Sequence, residues 1–334
     1  MMRQLEIYGI FNRRYELKDW MGTTVRGVFG FVLRRLVCNR PNMNCMHCRN
    51  RYKCPYMLIF DTNPRLFAEM GIGYKLESIT KPYVLSTLHM IDDYRFKFYL
   101  TLIGKYAKMQ EHLMVQVIHR MAKLGLGRSR INGDRRCFSV KNIRGVNFLR
   151  DMVEDIYVDG DAYIPFTDVD REVDIFEDDI IAEAEKLRSK EPSIIKIEFR
   201  TPTMIIKNGT VVKEIPFSAL MKNIMRKLTF IRAYYLQKKP LDLDYVKSVA
   251  ALAEKVRIDS FLVKDAWINK YSIERRKWER VGPFVKGVIF YKVPKEVYES
   301  EYADELYKLL LWGQLLHVGK MATFGAGEYV FEVF

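Results

Sequence analysis

The chain has 334 residues, of which 49% are hydrophobic, and it carries a formal net charge of +14 at pH 7. This length accommodates two domains of ordinary size. No run of about 18 consecutive apolar residues is present, so we expect no membrane-spanning helix. The first residues lack the apolar segment of a secretory signal, and we therefore expect a cytoplasmic protein.

The charge is unevenly distributed along the chain. Fifteen acidic and five basic residues lie between Gly145 and Glu191, so the rest of the chain carries about +24. A positive field of this size favours phosphate backbones as the partner, although the ion-pair-rich surface of a thermophilic protein would also account for it. We interpret residues 146–192 as an acidic, solvated connection between two domains, 1–145 and 193–334.

In the first domain, hydrophobic periodicity predicts the order strand, helix, strand, strand, helix, strand. Alternating residues predict strands over 3–11, 80–88, 94–102 and 136–143. Helical spacing predicts helices over 19–37, capped by Asp19, and over 105–124. The second helix leads into a glycine-containing loop, GLGRSR (125–130), which carries the cations Arg128 and Arg130.

The same order recurs after residue 193. Strands are predicted over 194–200, 260–272, 284–292 and 328–333, helices over 217–237, 242–256 and 302–316, and a hairpin through Asn208-Gly209. A further helix is predicted over 177–190. Both halves follow the pattern βαββαβ. We therefore predict an α+β fold of tandem ferredoxin-like (RRM-like) domains, with a glycine-rich loop near the C-terminus.

The predicted loop 38–55 contains four cysteines that together span seventeen residues: Cys38, Cys45, Cys48 and Cys54. Four thiolates suit tetrahedral Zn²⁺, so we expect a structural zinc site. The spacing C-x2-C-x5-C-P also suits a [4Fe–4S] cluster. Disulfides are a third alternative if the source is a hyperthermophile, and free thiols are the fourth. The fifth cysteine, Cys137, lies far from this group in the sequence.

Near the C-terminus, an apolar helical run ends in a glycine-rich loop that leads into an alternating strand. Gly319, Gly325 and Gly327 allow positive φ angles and the close approach of a ligand. Lys320 adds a cation, and free backbone N–H groups in such loops bind phosphate oxygens. A tight helix-to-strand connection is the alternative interpretation.

The sequence LHVGKMATFGAGEYVF (316–331) resembles the end of the CRISPR repeat-RNA processing endoribonucleases, a family of the RAMP superfamily. The segments WINKYSIERRKWERVGPFVKGVIFY (267–291), GLGRSR (125–130) and CMHCRNRYKCPY (45–56) are also similar to branches of this family. The superfamily loop usually opens with Gly-x-Gly, and here His317 stands at the first of these positions.

The resemblance implies a sequence-specific endoribonuclease that cleaves CRISPR precursor RNA within the repeat to make guide RNAs. Cleavage would need no metal and would leave a 2′,3′-cyclic phosphate. The alternatives are a non-catalytic RNA-binding subunit of a CRISPR effector complex, and a metal-stapled interaction module without an RNA role. The implied partners are CRISPR repeat RNA and other effector subunits, with the chain itself a monomer or a homodimer.

The resemblance also implies a catalytic histidine, often with tyrosine or lysine, in the loop after the first helix. RNA cleavage without metal needs a base, an acid and cations, and the pKa of histidine suits the first two roles. By position alone, the catalytic candidates are His47, Tyr52 and Lys53. The candidates for RNA binding are Arg128, Arg130, Arg275, Arg276, Lys277, His317, Gly319, Lys320, Gly325 and Gly327.

Overall fold

The computed structural model describes residues 1–15, 20–40, 43–71, 79–131, 134–161, 163, 170–207, 209–272 and 277–334. The chain divides into two compact units. The first consists of Met1–Phe176 with Phe230–Lys239, and the second consists of Glu177–Thr229 with Pro240–Phe334. Among the described residues, no helix is both long enough and apolar enough to cross a membrane.

The first unit is a mixture of antiparallel strands and helices. Its strands are β1 (Met2–Phe11), β2 (Tyr83–Leu85), β3 (His89–Met90), β4 (Arg95–Ile103), β5 (Leu126–Ile131), β6 (Asp134–Arg136), β7 (Phe138–Asn147) and β8 (Met152–Val158). Its helices are α1 (Gly22–Val37), α2 (Pro64–Glu69), α3 (Gly104–Met109) and α4 (Glu111–Leu124), with a 3-10 turn at Cys45–His47 and a π-helical turn at Tyr56–Phe60.

The main sheet of this unit has the strand order β2-β4-β1-β7-β8. The pairs within it are antiparallel, and the first four strands have the order of a ferredoxin-like βαββαβ unit. Alternate residues of β1, including Leu5 and Ile7, are buried in one core with Phe29 of α1 and Ile118 of α4. Alternation in the strands and helical spacing in α1 and α4 therefore bury one common apolar face.

The second unit repeats this arrangement. Its elements are α5 (Glu177–Arg188), β9 (Ile194–Thr203), β10 (Ile206–Lys207), β11 (Thr210–Val211), α6 (Phe217–Tyr235), α7 (Leu243–Lys255), β12 (Arg257–Ser272), β13 (Lys277–Lys292), α8 (Lys295–Tyr298), α9 (Ala303–Leu316), a 3-10 turn at Ala322–Phe324 and β14 (Tyr329–Val333). The last residues of α6, from Phe230, belong to the first unit. The sheet order β12-β13-β9-β14 is again that of a ferredoxin-like unit, so the tandem fold is confirmed.

Several predicted elements differ from those in the structure. The strand predicted over 284–292 begins at Lys277, and of the strand predicted over 80–88 only Tyr83–Leu85 is a strand. The helix predicted over 105–124 is divided between α3 and α4, which meet at Gln110. The loop predicted over 125–130 is largely the strand β5, which pairs with β6. The predicted cap residue of the first helix, Asp19, lies outside the described residues, and α1 begins at Gly22.

The segment predicted as an acidic connection, 146–192, is built into both units. β8 pairs with β7 in the sheet of the first unit, and Ile175 exchanges backbone hydrogen bonds with Met2. Helix α5 belongs to the second unit and buries Ile180 and Ala184. The abundance of acidic residues does not indicate a solvated linker here, because several carboxylates are paired within the fold.

One such carboxylate belongs to a cluster of charged side chains with no exposed surface. The Arg3 guanidinium of β1 donates to Asp174 at 2.7 and 2.9 Å and to Glu111 of α4 at 2.9 Å, and all three side chains are 0% exposed. Lys108 donates to Asp174 at 2.9 Å, and Arg171 donates to Glu111 at 2.8 and 2.9 Å. This cluster fixes the end of the acidic segment to the first strand.

Candidate functional site

In the first unit, two arginines of α1 pack on aromatic rings next to the cysteine-containing segment. The guanidinium carbon of Arg26 lies 4.4 Å from the centre of the Phe60 ring, and that of Arg34 lies 5.4 Å from the centre of the Tyr56 ring. Arg34 also donates to the Met43 carbonyl at 2.8 Å. These contacts orient two cations along one edge of α1.

A partly buried lysine lies near Arg26. The ammonium of Lys81 donates to Thr62 Oγ1 at 3.1 Å. Burial, together with the charge of Arg26, lowers the pKa of Lys81 to about 8, and Asp61 opposes this shift. An amine that titrates this close to neutral pH can accept a proton, so Lys81 is a candidate general base. Sequence analysis missed it because Lys81 belongs to no motif, and only the fold brings it near Arg26.

The three predicted catalytic residues lie close together in the chain but have different surroundings. His47 ends the 3-10 turn Cys45–His47 with its side chain exposed. The Tyr52 hydroxyl accepts from Arg51 at 2.5 Å and donates to Glu69 at 2.7 Å. Lys53 is exposed, and its carbonyl accepts from the Tyr106 hydroxyl at 3.2 Å. Their assignment to catalysis remains a prediction.

All five cysteines are free thiols in the structure, and all are partly buried. Cys45 and Cys54 pack against the same small apolar cluster, which includes Met57 and Phe67. Burial raises the pKa of the Cys45 thiol, Arg34 lowers it, and Asp61, Cys54 and Cys38 raise it. Within the described residues, no three His, Cys, Asp or Glu side chains converge closely enough to hold a metal ion.

In the second unit, most backbone N–H groups of the glycine-rich loop between α9 and β14 are hydrogen-bonded to other protein atoms. Eight backbone N–H groups between Val318 and Glu328 donate to protein acceptors, among them Gly319 to Asn223 Oδ1 at 2.8 Å and Lys320 to the Met204 carbonyl at 2.9 Å. Of the free backbone N–H groups expected to bind phosphate, at most those of residues 321–323 are therefore left. The Lys320 side chain is exposed.

Two glycines of this loop, Gly319 and Gly327, are accounted for by the backbone that packs against them. Gly319 and Gly327 have φ angles of 72° and 75°. A Cβ atom at Gly319 would collide with the Met204 carbonyl oxygen, and one at Gly327 would collide with the Val318 carbonyl oxygen. These positions thus favour the tight connection between helix and strand, which was the alternative interpretation.

His317 occupies the position where the superfamily pattern has its first glycine, and the structure retains the backbone conformation of a glycine there. Its φ angle is 53°, in the region that glycine adopts most easily. The side chain is only 6% exposed, so an RNA phosphate would reach the imidazole only after the loop had moved. The His317 carbonyl accepts from the ammonium of Lys227 at 2.7 Å, and loss of hydration lowers the pKa of Lys227 to about 7.

The long hairpin of β12 and β13 carries an aromatic and basic surface that sequence analysis did not identify. Trp278 is 65% exposed and Trp267 is 46% exposed, and the guanidinium carbon of Arg280 lies 4.4 Å from the centre of a Trp267 ring. Trp278, Arg280 and Trp267 share one face of the hairpin because of the strand register. The sequence signal for this surface is that large aromatic residues alternate with basic residues, without a stripe of apolar residues beside them.

The remaining predicted RNA-binding residues are placed as follows. Lys277 is exposed and opens β13 at the tip of the same hairpin, opposite Ser272. Arg275 and Arg276 lie outside the described residues. Arg128 and Arg130 lie on β5, where only the backbone is described.

Comparison with known proteins gives two family matches. The family model described as CRISPR-associated endoribonuclease Cas6 matches residues 197–329. A second model, AF_1859_N, described as an N-terminal domain, matches residues 2–168. No curated protein matches the chain.

Solved structures of Cas6 proteins share the fold of the whole chain. A Cas6 product complex matches with a TM-score of 0.53 at 12% identity and covers 99% of both chains. Cas6 of Thermus thermophilus matches with a TM-score of 0.52 at 10% identity, covering 99% of this chain and 98% of that one. A partial Cas6-RT-Cas1–Cas2 complex matches with a TM-score of 0.52 at 10% identity, covering 100% of this chain and 46% of that one.

The family match spans β9 to β14, which include the aromatic hairpin and the glycine-rich loop, and the fold likeness extends over both units. Both findings agree with the strand order of the two sheets, which is that of tandem ferredoxin-like units. Over residues 197–329 the chain matches the Cas6 family of CRISPR-associated endoribonucleases, and its fold is that of the solved Cas6 structures.

Proposed function

We propose that this chain cuts CRISPR precursor RNA within the repeat, by metal-independent attack of a ribose 2′-OH on the adjacent phosphate. The observation that carries the proposal is the set of Lys81, Arg26 and Arg34 in the first unit, where one amine titrates near neutral pH under the influence of Arg26, and Arg34 lies on the same helix as Arg26. A base and nearby cations are the groups that this reaction requires.

The proposed reaction proceeds in one displacement. The neutral amine of Lys81 removes the proton of the 2′-OH, and the resulting oxyanion attacks the phosphorus. The bond from phosphorus to the 5′-oxygen of the next nucleotide breaks, and that oxygen takes up a proton. The products are a 2′,3′-cyclic phosphate and a 5′-hydroxyl end. Arg26 and Arg34 stabilise the negative charge that develops on the phosphoryl oxygens.

His47 is the competing candidate for the general base, because its imidazole is exposed and histidine is the side chain most often used for proton transfer. In that case Tyr52 and Lys53 would assist it, as their positions predict. The two assignments differ in which single substitution removes cleavage while RNA binding is retained.

For RNA binding, the hairpin surface of Trp267, Trp278 and Arg280 offers stacking faces and a cation. Aromatic side chains on which bases stack, next to basic residues, are typical of proteins that bind single-stranded RNA. The exposed Lys277 and Lys320 add phosphate contacts from the hairpin tip and from the glycine-rich loop.

We also propose that Cys38, Cys45, Cys48 and Cys54 hold a structural zinc ion. The support is the donor set itself, four partly buried thiols within seventeen residues. All four lie among the described residues, where no three such side chains converge closely enough to hold a metal ion, so zinc binding would have to draw the thiols together. Bound zinc would keep these thiols deprotonated and would tie the segment after α1 into one structure.

The proposal is tested with labelled repeat RNA incubated in EDTA with the parent protein and with single variants. We expect the parent to cleave at one position, and Lys81→Met to bind RNA normally but to cleave at least about 100-fold more slowly, the loss typical of a general base. Lys141→Met, which removes an exposed lysine paired with Asp159 in the same unit, is the control and should cleave like the parent.

Each other outcome has a defined meaning. Loss of cleavage in His47→Ala with Lys81→Met unaffected would transfer the role of base to His47. Tight binding of repeat RNA by the parent without cleavage would support the alternative of a non-catalytic subunit of an effector complex. Failure of the parent both to bind and to cleave would contradict the proposed function.

A further inference from the structure

The first unit contains a cavity of about 840 Å³ whose lining does not include Lys81, Arg26 or Arg34. Its wall comes from the segment that follows the cysteines, from α3 and from the last turn of α6, all within the first unit. Five aromatic side chains line it, together with three lysines. The chemistry of these side chains indicates what the cavity can bind.

The floor of the cavity is apolar and rigid. The Phe67 ring meets the rings of Tyr234 and Tyr235 edge to face, with centres 5.6 and 5.8 Å apart. The Tyr235 hydroxyl donates to the Thr80 carbonyl at 2.7 Å. Such interlocked rings leave little freedom for the floor to collapse when the cavity is empty.

At the rim, two exposed tyrosines are held in place by their hydroxyl groups. Tyr106 is 37% exposed and donates to the Lys53 carbonyl at 3.2 Å. Tyr52 is fixed by Arg51 and Glu69, and the Arg51 guanidinium carbon lies 4.3 Å from the centre of its ring. Because the hydroxyls are anchored, the rings are already oriented before a ligand arrives, which lowers the entropy cost of binding.

The charge at the rim is positive. Lys53 and Lys105 are exposed, and neither forms an ion pair with the described residues. The third lysine, Lys108, is already paired with Asp170 and Asp174. An anionic group would therefore be bound on the side of Lys53 and Lys105, while a flat ring would fill the aromatic interior.

We propose that this cavity binds one nucleotide, with its base among the aromatic rings and its phosphate at Lys53 and Lys105. This inference rests on the proposed function in that the nucleotide is an unpaired residue of the substrate RNA. A base stacked on aromatic side chains contributes about 1–3 kcal/mol, which corresponds to about 5-fold to 150-fold in affinity. The cavity would thus add to affinity through residues other than Lys81, Arg26 and Arg34.

The test measures the dissociation constant of fluorescent repeat RNA by anisotropy for matched variants of the full chain. Tyr106→Ala should weaken binding at least about 5-fold, whereas Tyr106→Phe, which keeps the ring, should bind within about 2-fold of the parent. Tyr94→Ala is the control, since Tyr94 is 45% exposed and does not line the cavity. Lys105→Ala should reduce the slope of log K against log[salt] by the amount expected for roughly one phosphate contact.

A second arm identifies the source of the nucleotide. AMP is titrated against parent and Tyr106→Ala by calorimetry. Equal RNA affinity in parent, Tyr106→Ala and Lys105→Ala would overturn the proposal. This holds even if AMP binds to the parent, because the cavity would then bind a free nucleotide rather than a residue of the RNA. Weaker RNA binding by Tyr106→Ala supports it even if the parent does not cleave RNA, so failure of the proposed reaction is distinguished from failure of this inference.

Discussion

For Gly319 and Gly327, the sequence predicts the backbone conformation correctly but not the reason why a side chain is missing. Both have the positive φ angles that the sequence predicted. The sequence could not reveal that the missing side chains make room for carbonyl oxygens of Met204 and Val318 rather than for a ligand. That information depends on how the loop folds back on itself at Val318 and on the distant segment around Met204, so the spacing of the glycines does not carry it.

Replacing Gly327 with alanine tests this interpretation. The new Cβ would collide with the Val318 carbonyl, and the φ of 75° is unfavourable for alanine. We expect a loss of about 2 kcal/mol or more in the free energy of unfolding, measured by urea denaturation. Gly209→Ala is the matched control, because Gly209 has a φ of 79° but a Cβ atom there would have no neighbouring atom within 4 Å. Equal losses in both variants would argue against the packing role.

The depressed pKa of Lys227 predicts a pH dependence of stability. The pKa is about 7 in the folded protein and about 10.4 in the unfolded chain, so between these values the unfolded state binds more protons and stability rises with pH. We therefore expect the free energy of unfolding of the parent to rise relative to that of Lys227→Met as the pH increases from 7 to 10. Urea denaturation at each pH measures this difference.

Lys222→Met on the same helix is the control for this experiment. Lys222 is exposed and pairs with Glu254 at 2.8 Å, so its removal should change the free energy of unfolding by less than about 1 kcal/mol. If the stability curves of the parent and Lys227→Met stay parallel over this pH range, the explanation that the fold lowers the pKa of Lys227 is wrong.

Among the elements, those with strong periodicity were predictable. Helix α1 and strands β1 and β14 lie close to their predicted positions because each buries one regular apolar face. Strand β8 was missed because its acidic residues Glu154 and Asp155 hide the alternation. In the fold they pair with Arg171 and Arg144, so the charges that suggested a linker belong to a sheet edge.

The buried cluster around Asp174 should be costly to disrupt. Asp174→Asn leaves Arg3 and Lys108 without their shared carboxylate in a site with no exposed surface. We expect a loss of about 3–5 kcal/mol in the free energy of unfolding. By contrast, Asp155→Asn breaks the exposed pair with Arg144 and should cost at most about 1 kcal/mol. A loss of similar size in both variants would show that burial does not control the effect.

The cysteine-containing segment makes a prediction about metal. Protein purified without chelator should contain about one zinc ion per chain by elemental analysis, as a four-thiolate site requires. The double variant Cys45→Ser/Cys48→Ser should lose the zinc and melt several degrees lower, because the ion ties the segment to the fold. Cys137→Ser, whose thiol donates to the Lys123 carbonyl, should retain the zinc. Iron in place of zinc would favour the cluster alternative, and absence of both would remove the proposal.

At the scale of the whole molecule, each unit has the same strand order, and in each the segment before the last main strand contains three glycines. The sequence predicted this repetition from its βαββαβ order. It did not predict how the charge is distributed in space, because acidic residues of 146–192 neutralise bases such as Lys141, Arg144 and Arg171 inside the first unit. The catalytic candidate Lys81 was missed for a related reason, since its proximity to Arg26 depends on the fold.

The central claim is that the chain cleaves repeat RNA through a ribose 2′-OH. The most direct test is to incubate two repeat RNAs with the protein in EDTA, one all-ribose and one with a single 2′-deoxynucleotide on the 5′ side of the cut, and to analyse the product ends. We predict one cut with a 2′,3′-cyclic phosphate in the first RNA and no cut at that position in the second, with equal binding of both. Cleavage of the deoxy-substituted RNA at the same position, or of neither RNA despite tight binding, would contradict the claim.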